Sequence, residues 1–329
     1  MATDGRTDGR TDGTDAHVHG TAPVERRHMA ELVMVHGIGP EEETEVQLHG
    51  DWMRALARTL RDNGRAEQAA RLEDGSVTAA MAHYRHLYAP YVPRDDWDVP
   101  LSAPMAATGE DVAADIIDNI QQHASDPAAR AEAARALDEL RADVGAEQGP
   151  TEPLRMFVAM LGRLGPVARS GFAALSSTGV FHLGQVAAYL NDETVREGAI
   201  EAVLSRVTPD TKAVLAHSLG TVVAYEALHR LEQPLPLLIT FGSPLGLRSI
   251  IRRRLRPQPL RSPGHVKRWV NVADRDDFIV ATLRLRTLFP DDDAVLERTR
   301  LVKNRNTNPH AAVEYLKHWQ TVEPLAELL

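Results

Sequence analysis

The pentapeptide Ala216-His217-Ser218-Leu219-Gly220 sets one hydroxyl between small residues two positions to either side. A serine hydroxyl is a poor nucleophile unless a base takes its proton and the backbone exposes it. A strand, tight turn and helix in succession do the exposing, provided the residues two places before and after are small. Gly220 meets that condition, and Ala216 meets it where such motifs usually carry their first glycine. Thr211–Ala216 reads as the strand. Leu219–Leu231 reads as the helix, with Val222, Val223, Leu228 and Leu231 apolar. The first N–H groups of that helix have no intrahelical partners and can hold a developing oxyanion, the Leu219 amide first among them. A second donor is expected at Ile38, in His36-Gly37-Ile38-Gly39, where glycines let backbone approach closely. Each such donor is typically worth about 2.7–4 kcal/mol in the transition state.

The elements that must hold these residues follow from patterning. Residues 30–35 form a short apolar run that stops at the His36-Gly37 turn, as a strand buried on both faces does. Residues 45–63 read as a helix with Val46, Trp52, Leu56 and Leu60 near one stripe. Residues 77–88 read as a second strand, followed by a proline-rich loop over 90–104. Two helices are expected over 105–150. Val112, Ile116, Ile117 and Ile120 face the first inward, and Asp126-Pro127 starts the second. Residues 154–190 are greasier and fit a core or cap helix, with contact to a lipid surface as the alternative. From Asp192, a candidate N-cap, helix and strand alternate regularly, with strands expected over 235–241 and 266–272. Such alternation implies a parallel sheet covered by helices.

Composition removes other classes. The chain has 329 residues, 43% of them apolar, enough for a substantial core in one α/β domain or two smaller ones. It has no cysteine, which excludes thiolate catalysis and Cys-ligated metal sites. A net charge of -9 argues against a nucleic-acid partner. The repeated Thr-Asp-Gly units near the start make residues 1–28 an expected disordered tail. The His17/His19 pair there lacks the rigid strand end that metal ligands need. No apolar run is long enough for a signal peptide or a transmembrane helix, so a cytoplasmic location is expected. No phosphate-binding or dinucleotide motif is present, so no cofactor is required. Arg252, Arg253, Arg254, Arg256 and Arg261 read as a solvated basic loop.

Val-His-Gly-Ile-Gly at 35–39, Ala-His-Ser-Leu-Gly at 216–220 and Phe-Gly-Ser-Pro-Leu-Gly at 241–246 together resemble the α/β-hydrolase superfamily, especially its lipase- and esterase-like members. The resemblance covers residues 30–60 and about 195–320. It implies an α/β-hydrolase fold over 29–329, with residues 90–195 inserted as a helical cap. It also implies the chain order Ser, acid, His. After the expected strand at 266–272, the Asp-x-Ile-Val pattern of such relatives picks Asp277, with Asp274 the alternative because it lies nearest the strand end. Asp276 reads as a solvated charge. The superfamily carries its base on the loop before the last helix, which picks His310. His318, within that helix, reads as a surface residue. Ser243 is a rival hydroxyl, but Pro244 removes an N–H that an oxyanion would need, so it reads as a turn. The implied activity is hydrolysis of a small-molecule or lipid carboxylic ester, with peripheral membrane contact allowed. A peptidase, thioesterase or acyltransferase on the same triad, or a non-catalytic scaffold, are the alternatives.

Overall fold

The computed structural model describes residues 30–38, 43–91, 101–142, 175–251, 254–280, 282–289, 295–305 and 308–329. The expected N-terminal tail, its two histidines, and residues 92–100 and 143–174 of the expected cap lie outside these.

Among the described residues six strands form one sheet, every pair parallel: β1 (Leu32–Val35), β2 (Ala79–Ala82), β3 (Ala213–His217), β4 (Leu237–Phe241), β5 (Trp269–Asp274) and β6 (Arg300–Val302). Their order is β2-β1-β3-β4-β5-β6. The chain leaves β1 towards one edge to make β2, then returns to β1's other side for β3. The topological switch therefore falls between β1 and β3, whose register pairs Val35 with Ala216. In open parallel sheets the crevice at such a switch, beyond the strands' carboxyl ends, is where ligands bind. His36-Gly37 and Ser218 leave the sheet at that point.

Both faces of β1, β3, β4 and β5 are buried, which explains their near-continuous apolar runs. Alternate side chains divide between two cores. Val33, Val35, Val214, Ala216 and Leu238 face one side, and Leu32, Met34, Leu215, Ile239 and Phe241 face the other. The second side is covered by α1 (Glu45–Asp62), α2 (Ala66–Glu73), α9 (Ala312–Leu316) and α10 (Trp319–Ala326). Thr44 and Gln47 form a reciprocal capping box at the start of α1. The buried stripe of α1 is Leu48, Trp52, Leu56 and Leu60, four residues apart. Val46 lies off that stripe at 81% exposure, which corrects the sequence reading. The first core is covered by α7 (Leu219–Leu228), buried along its whole length, and by α6 (Glu193–Leu204), which Asp192 caps through the Thr194 amide at 2.8 Å.

The strand expected over 77–88 is shorter. After Ala82 the chain turns into a 3-10 segment over Arg85–Tyr91. Tyr88 and Tyr91 of this segment are both buried and three residues apart, a spacing that a 3-10 turn places on one side. Between β2 and β3 the described chain is helical: α3 (Ala103–His123), α4 (Pro127–Ala142) and α5 (Leu175–Asn191). Val112, Ile116, Ile117 and Ile120 of α3 are buried as expected, and so are all residues from Leu183 to Leu190 of α5. That part of α5 packs inside the protein and offers no apolar face to a membrane. No described helix is long and apolar enough to cross one.

Candidate active site

Ser218 stands at the end of β3 with φ 53° and ψ -132°, the one positive-φ residue other than glycine among those described. Such a conformation costs on the order of 1–3 kcal/mol and persists only where the surroundings over-determine it. Here they do. The Ser218 N–H donates to the Phe241 carbonyl at 3.2 Å, and its carbonyl accepts from the Thr221 N–H at 2.9 Å and the Thr221 hydroxyl at 2.8 Å. Sterics complete the fixation. A Cβ on Gly220 would lie 2.3 Å from the His36 carbonyl oxygen, and one on Gly37 would lie 2.4 Å from the Ser218 Cβ. The small residues that the motif demanded are thus required by contact between the ends of β1 and β3.

The other two expected residues meet this serine. His310 Nε2 lies 2.9 Å from Ser218 Oγ, and His310 Nδ1 lies 2.8 and 3.0 Å from the two carboxylate oxygens of Asp277. A carboxylate only accepts, so Nδ1 carries the hydrogen and Nε2 is left to receive the serine proton. Asp277 is fully buried, while His310 is partly open to solvent. Two further donors reach the carboxylate: the Ile279 N–H at 3.1 Å and the Tyr315 hydroxyl at 2.6 Å. Burial, and after it the negative charge of Asp277, pushes the Tyr315 phenol well above its ordinary range, so it keeps its proton and donates. Tyr315 escaped the sequence reading. Its signal was only an aromatic five residues after His310 on the helix that follows.

Asp274 and Asp276 serve the loops around this pair. Asp274 is buried and accepts from the Asp276 N–H at 2.8 Å and from the Asn304 N–H, so it ties the end of β5 to the chain leaving β6. The His310 ring is hydrogen-bonded to Asp277 and Ser218, and the alternative acid is bonded elsewhere. Asp276 is not a solvated charge: it accepts from the Ser125 hydroxyl at 2.6 Å and pairs with Lys303. His318 is half-buried and held by a partner. Its Nε2 meets the Asn304 Oδ1 at 2.9 Å, while Asn304 donates from Nδ2 to the Pro309 carbonyl at 2.5 Å. In both cases the partner comes from a segment distant in sequence, which local patterning does not reveal. Ser243 is buried, shares a 2.8 Å hydrogen bond with Thr221 and caps the turn over Pro244–Gly246, which agrees with its reading as a turn. Arg254 and Arg256 are not merely solvated, for they pair with Asp111 and Glu193. Arg252 and Arg253 lie outside the described residues.

Gly37 brings the β1 loop against the serine, with Ile38 next in sequence and partly buried against the first core. His36 is buried beneath this loop. Its ring stacks on Tyr84 at 4.4 Å, its Nδ1 lies 2.7 Å from the Gly37 carbonyl, and its own carbonyl accepts from the Tyr84 hydroxyl. Burial is the main cause that lowers its pKa to about 3, so the ring is neutral. The chain matches no protein family, no curated protein and no solved structure. Any account of the site therefore rests on its geometry alone. Among the described residues no group of three or more His, Asp or Glu side chains is arranged to hold a metal ion.

The helical insertion is bolted to this site. Asn119 of α3 donates from Nδ2 to the Phe278 and Val280 carbonyls at 2.8 and 2.9 Å, on either side of Ile279. Ser125, just after α3, holds Asp276, and Asp115 accepts the Ser249 N–H at 2.6 Å at α8 (Arg248–Ile251). A buried Arg196–Glu226 pair, with the Tyr189 hydroxyl 2.7 Å from the same carboxylate, joins α5 and α6 to α7 behind the serine. The arrangement as a whole can abstract a hydroxyl proton and stabilise the imidazolium that results.

Proposed function

We propose that the protein is a serine hydrolase of the α/β-hydrolase type that cleaves a carboxylic ester through an acyl-enzyme. Ser218 Oγ attacks the ester carbonyl carbon while His310 Nε2 takes its proton. Asp277 fixes the imidazole tautomer and stabilises the imidazolium. The carbonyl electrons move to oxygen, where the Leu219 and Ile38 amides are the proposed donors. Collapse expels the alcohol, which receives the proton from His310. Water then gives a proton to His310, attacks the acyl carbon, and restores the serine as the acid leaves. The observation that carries this reading is the unbroken hydrogen-bonded chain from Ser218 Oγ through both nitrogens of His310 to buried Asp277, ending on a serine whose backbone is held at positive φ between strand and helix.

The substrate class is a small-molecule or lipid ester. A triad does not encode the leaving group, so amides, thioesters and transfer to an acceptor alcohol use the same steps. A fluorophosphonate probe tests the reading directly. It is expected to label Ser218 in the wild type and to label nothing in Ser218→Ala; a folded wild-type protein that stays unlabelled overturns it in favour of a scaffold. A series of p-nitrophenyl esters of rising chain length then ranks short-chain against lipid substrates.

A further inference from the structure

The residue before the serine makes a contact that the proton relay does not use. His217 Nε2 lies 2.7 Å from the backbone carbonyl oxygen of His310. We infer that His217 is a positioning residue, which anchors the main chain of His310 to the strand that carries the serine. The inference rests on the hydrolase reading above and adds to it a residue outside the triad.

The chemistry of the contact is one-sided. A carbonyl only accepts, so Nε2 of His217 carries the hydrogen. The ring has little room to turn elsewhere. Phe241 stacks on it at 5.3 Å, and Trp52 meets it edge-on at 6.3 Å. Tyr315 stands at 6.3 Å and the His310 ring at 4.7 Å. Burial chiefly, and the neighbouring His310 next, hold its pKa well below the ordinary imidazole value. It is thus a neutral donor. A lysine or arginine in its place would set a second positive charge against the imidazolium that His310 becomes during turnover.

Its placement gives the contact a purpose. The loop before α9 presents two successive carbonyls to side chains from different elements: Pro309 to Asn304, beyond β6, and His310 to His217, at the end of β3. His217 and Ser218 are adjacent in sequence. One holds the main chain of residue 310 and the other meets its ring, so the reach from imidazole to hydroxyl is set from a single strand end and does not accumulate error across the sheet. Gly242 keeps the gap open. It sits at φ 57°, and a Cβ there would stand 3.1 Å from His217 Nε2 and 3.2 Å from Asp277 Oδ2, wedged between the anchor and the acid.

The test compares His217→Leu, which lacks the donor, with His217→Gln, whose amide nitrogen lies near the position of Nε2. Misplacing a reacting group by an ångström costs about 100-fold. The Leu variant is therefore expected to lose about 10- to 100-fold in kcat and in fluorophosphonate labelling rate with KM unchanged, and Gln to recover most of it. In proton NMR, the downfield signal of His310 Nδ1–H against Asp277 is expected to broaden or move in Leu and return in Gln. Equal kcat in all three proteins overturns the inference. So do equal losses in Leu and Gln with a lowered melting temperature, since packing alone then explains the residue. Should Leu not fold, His217→Asn, whose amide falls short of the carbonyl, replaces it with the same expectation. Failure of the wild type to label at Ser218 counts against the hydrolase reading, whereas the NMR comparison still decides whether His217 holds His310.

Discussion

Two regions meet at the site and are fixed by different forces. The elbow at the ends of β1 and β3 is set by contact: Gly37 and Gly220 leave no space for a side chain, and the Ser218 backbone has one way to pass between them. The loops bearing Asp277 and His310 are set by hydrogen bonds. Tyr315, Ile279, Asn304, Asp274, Ser125 and Asn119 supply them, the last two from more than a hundred residues away in sequence. A steric device fails abruptly when it is filled. A polar network loses one bond at a time, and its failures are graded.

The contrast is sharpest in the reacting groups. Ser218→Ala is expected to lower kcat by on the order of 10⁶ where acyl transfer limits turnover, because nothing else can form the acyl-enzyme. Asp277→Asn, which leaves the shape intact but favours the wrong imidazole tautomer, is expected to cost about 10⁴. Steady-state kinetics on a p-nitrophenyl ester separates them. An Asp277→Asn loss as complete as that of Ser218→Ala would erase the distinction between an essential atom and a supporting one.

Outside the reacting atoms the two regions trade places. Gly220→Ala puts a Cβ against two backbone carbonyls, those of Val35 and His36, and backbone cannot yield as a flexible side chain does. The expected loss is about 1–3 kcal/mol of stability or more, with activity falling in step, read by urea unfolding. Tyr315→Phe removes one donor from Asp277 and leaves the ring in place. It is expected to lower kcat about tenfold, the scale of one hydrogen bond to a charged group, with little change in the unfolding midpoint. A Tyr315→Phe variant that unfolds readily but turns over normally would make the phenol a packing residue.

The same division explains what could be read from the chain. Small residues around Ser218 and glycines after β1 are local, so the sequence alone exposes the elbow and the strand ends that form it. The regular alternation after Asp192 is local too. The partners of the acid and base are not, since nothing near Asn119 or Ser125 in sequence announces a bond to residues 276–280. Asp276 and His318 were misread for that reason: a polar side chain looks solvated until the fold brings Lys303, Ser125 or Asn304 to it. Val46 was a smaller error of phase, because the true stripe of α1 advances by four from Leu48.

The elbow also has a polar weakness, which shows in stability and not in turnover. His36 is buried under the loop, faced by positively charged Arg85 and by His83 on the next strand's exit, with Tyr84 stacked on its ring. Its folded pKa of about 3 lies below the ordinary 6.5, so between these values the unfolded chain binds the extra proton. Stability is then full above pH 6.5 and drains away as pH falls, by about 1.4 kcal/mol per pH unit for each such histidine. His217, shifted in the same direction, adds to the slope. Asp274, whose carboxyl burial pushes up, contributes in the opposite sense and only where carboxylates titrate. Urea unfolding at pH 7, 6 and 5 is expected to give falling free energies in the wild type and a slope smaller by about one proton in His36→Gln. If that variant keeps the wild-type slope, the acid sensitivity comes from other buried histidines whose pKa values are lowered, His217 and His229 among them, and not from His36.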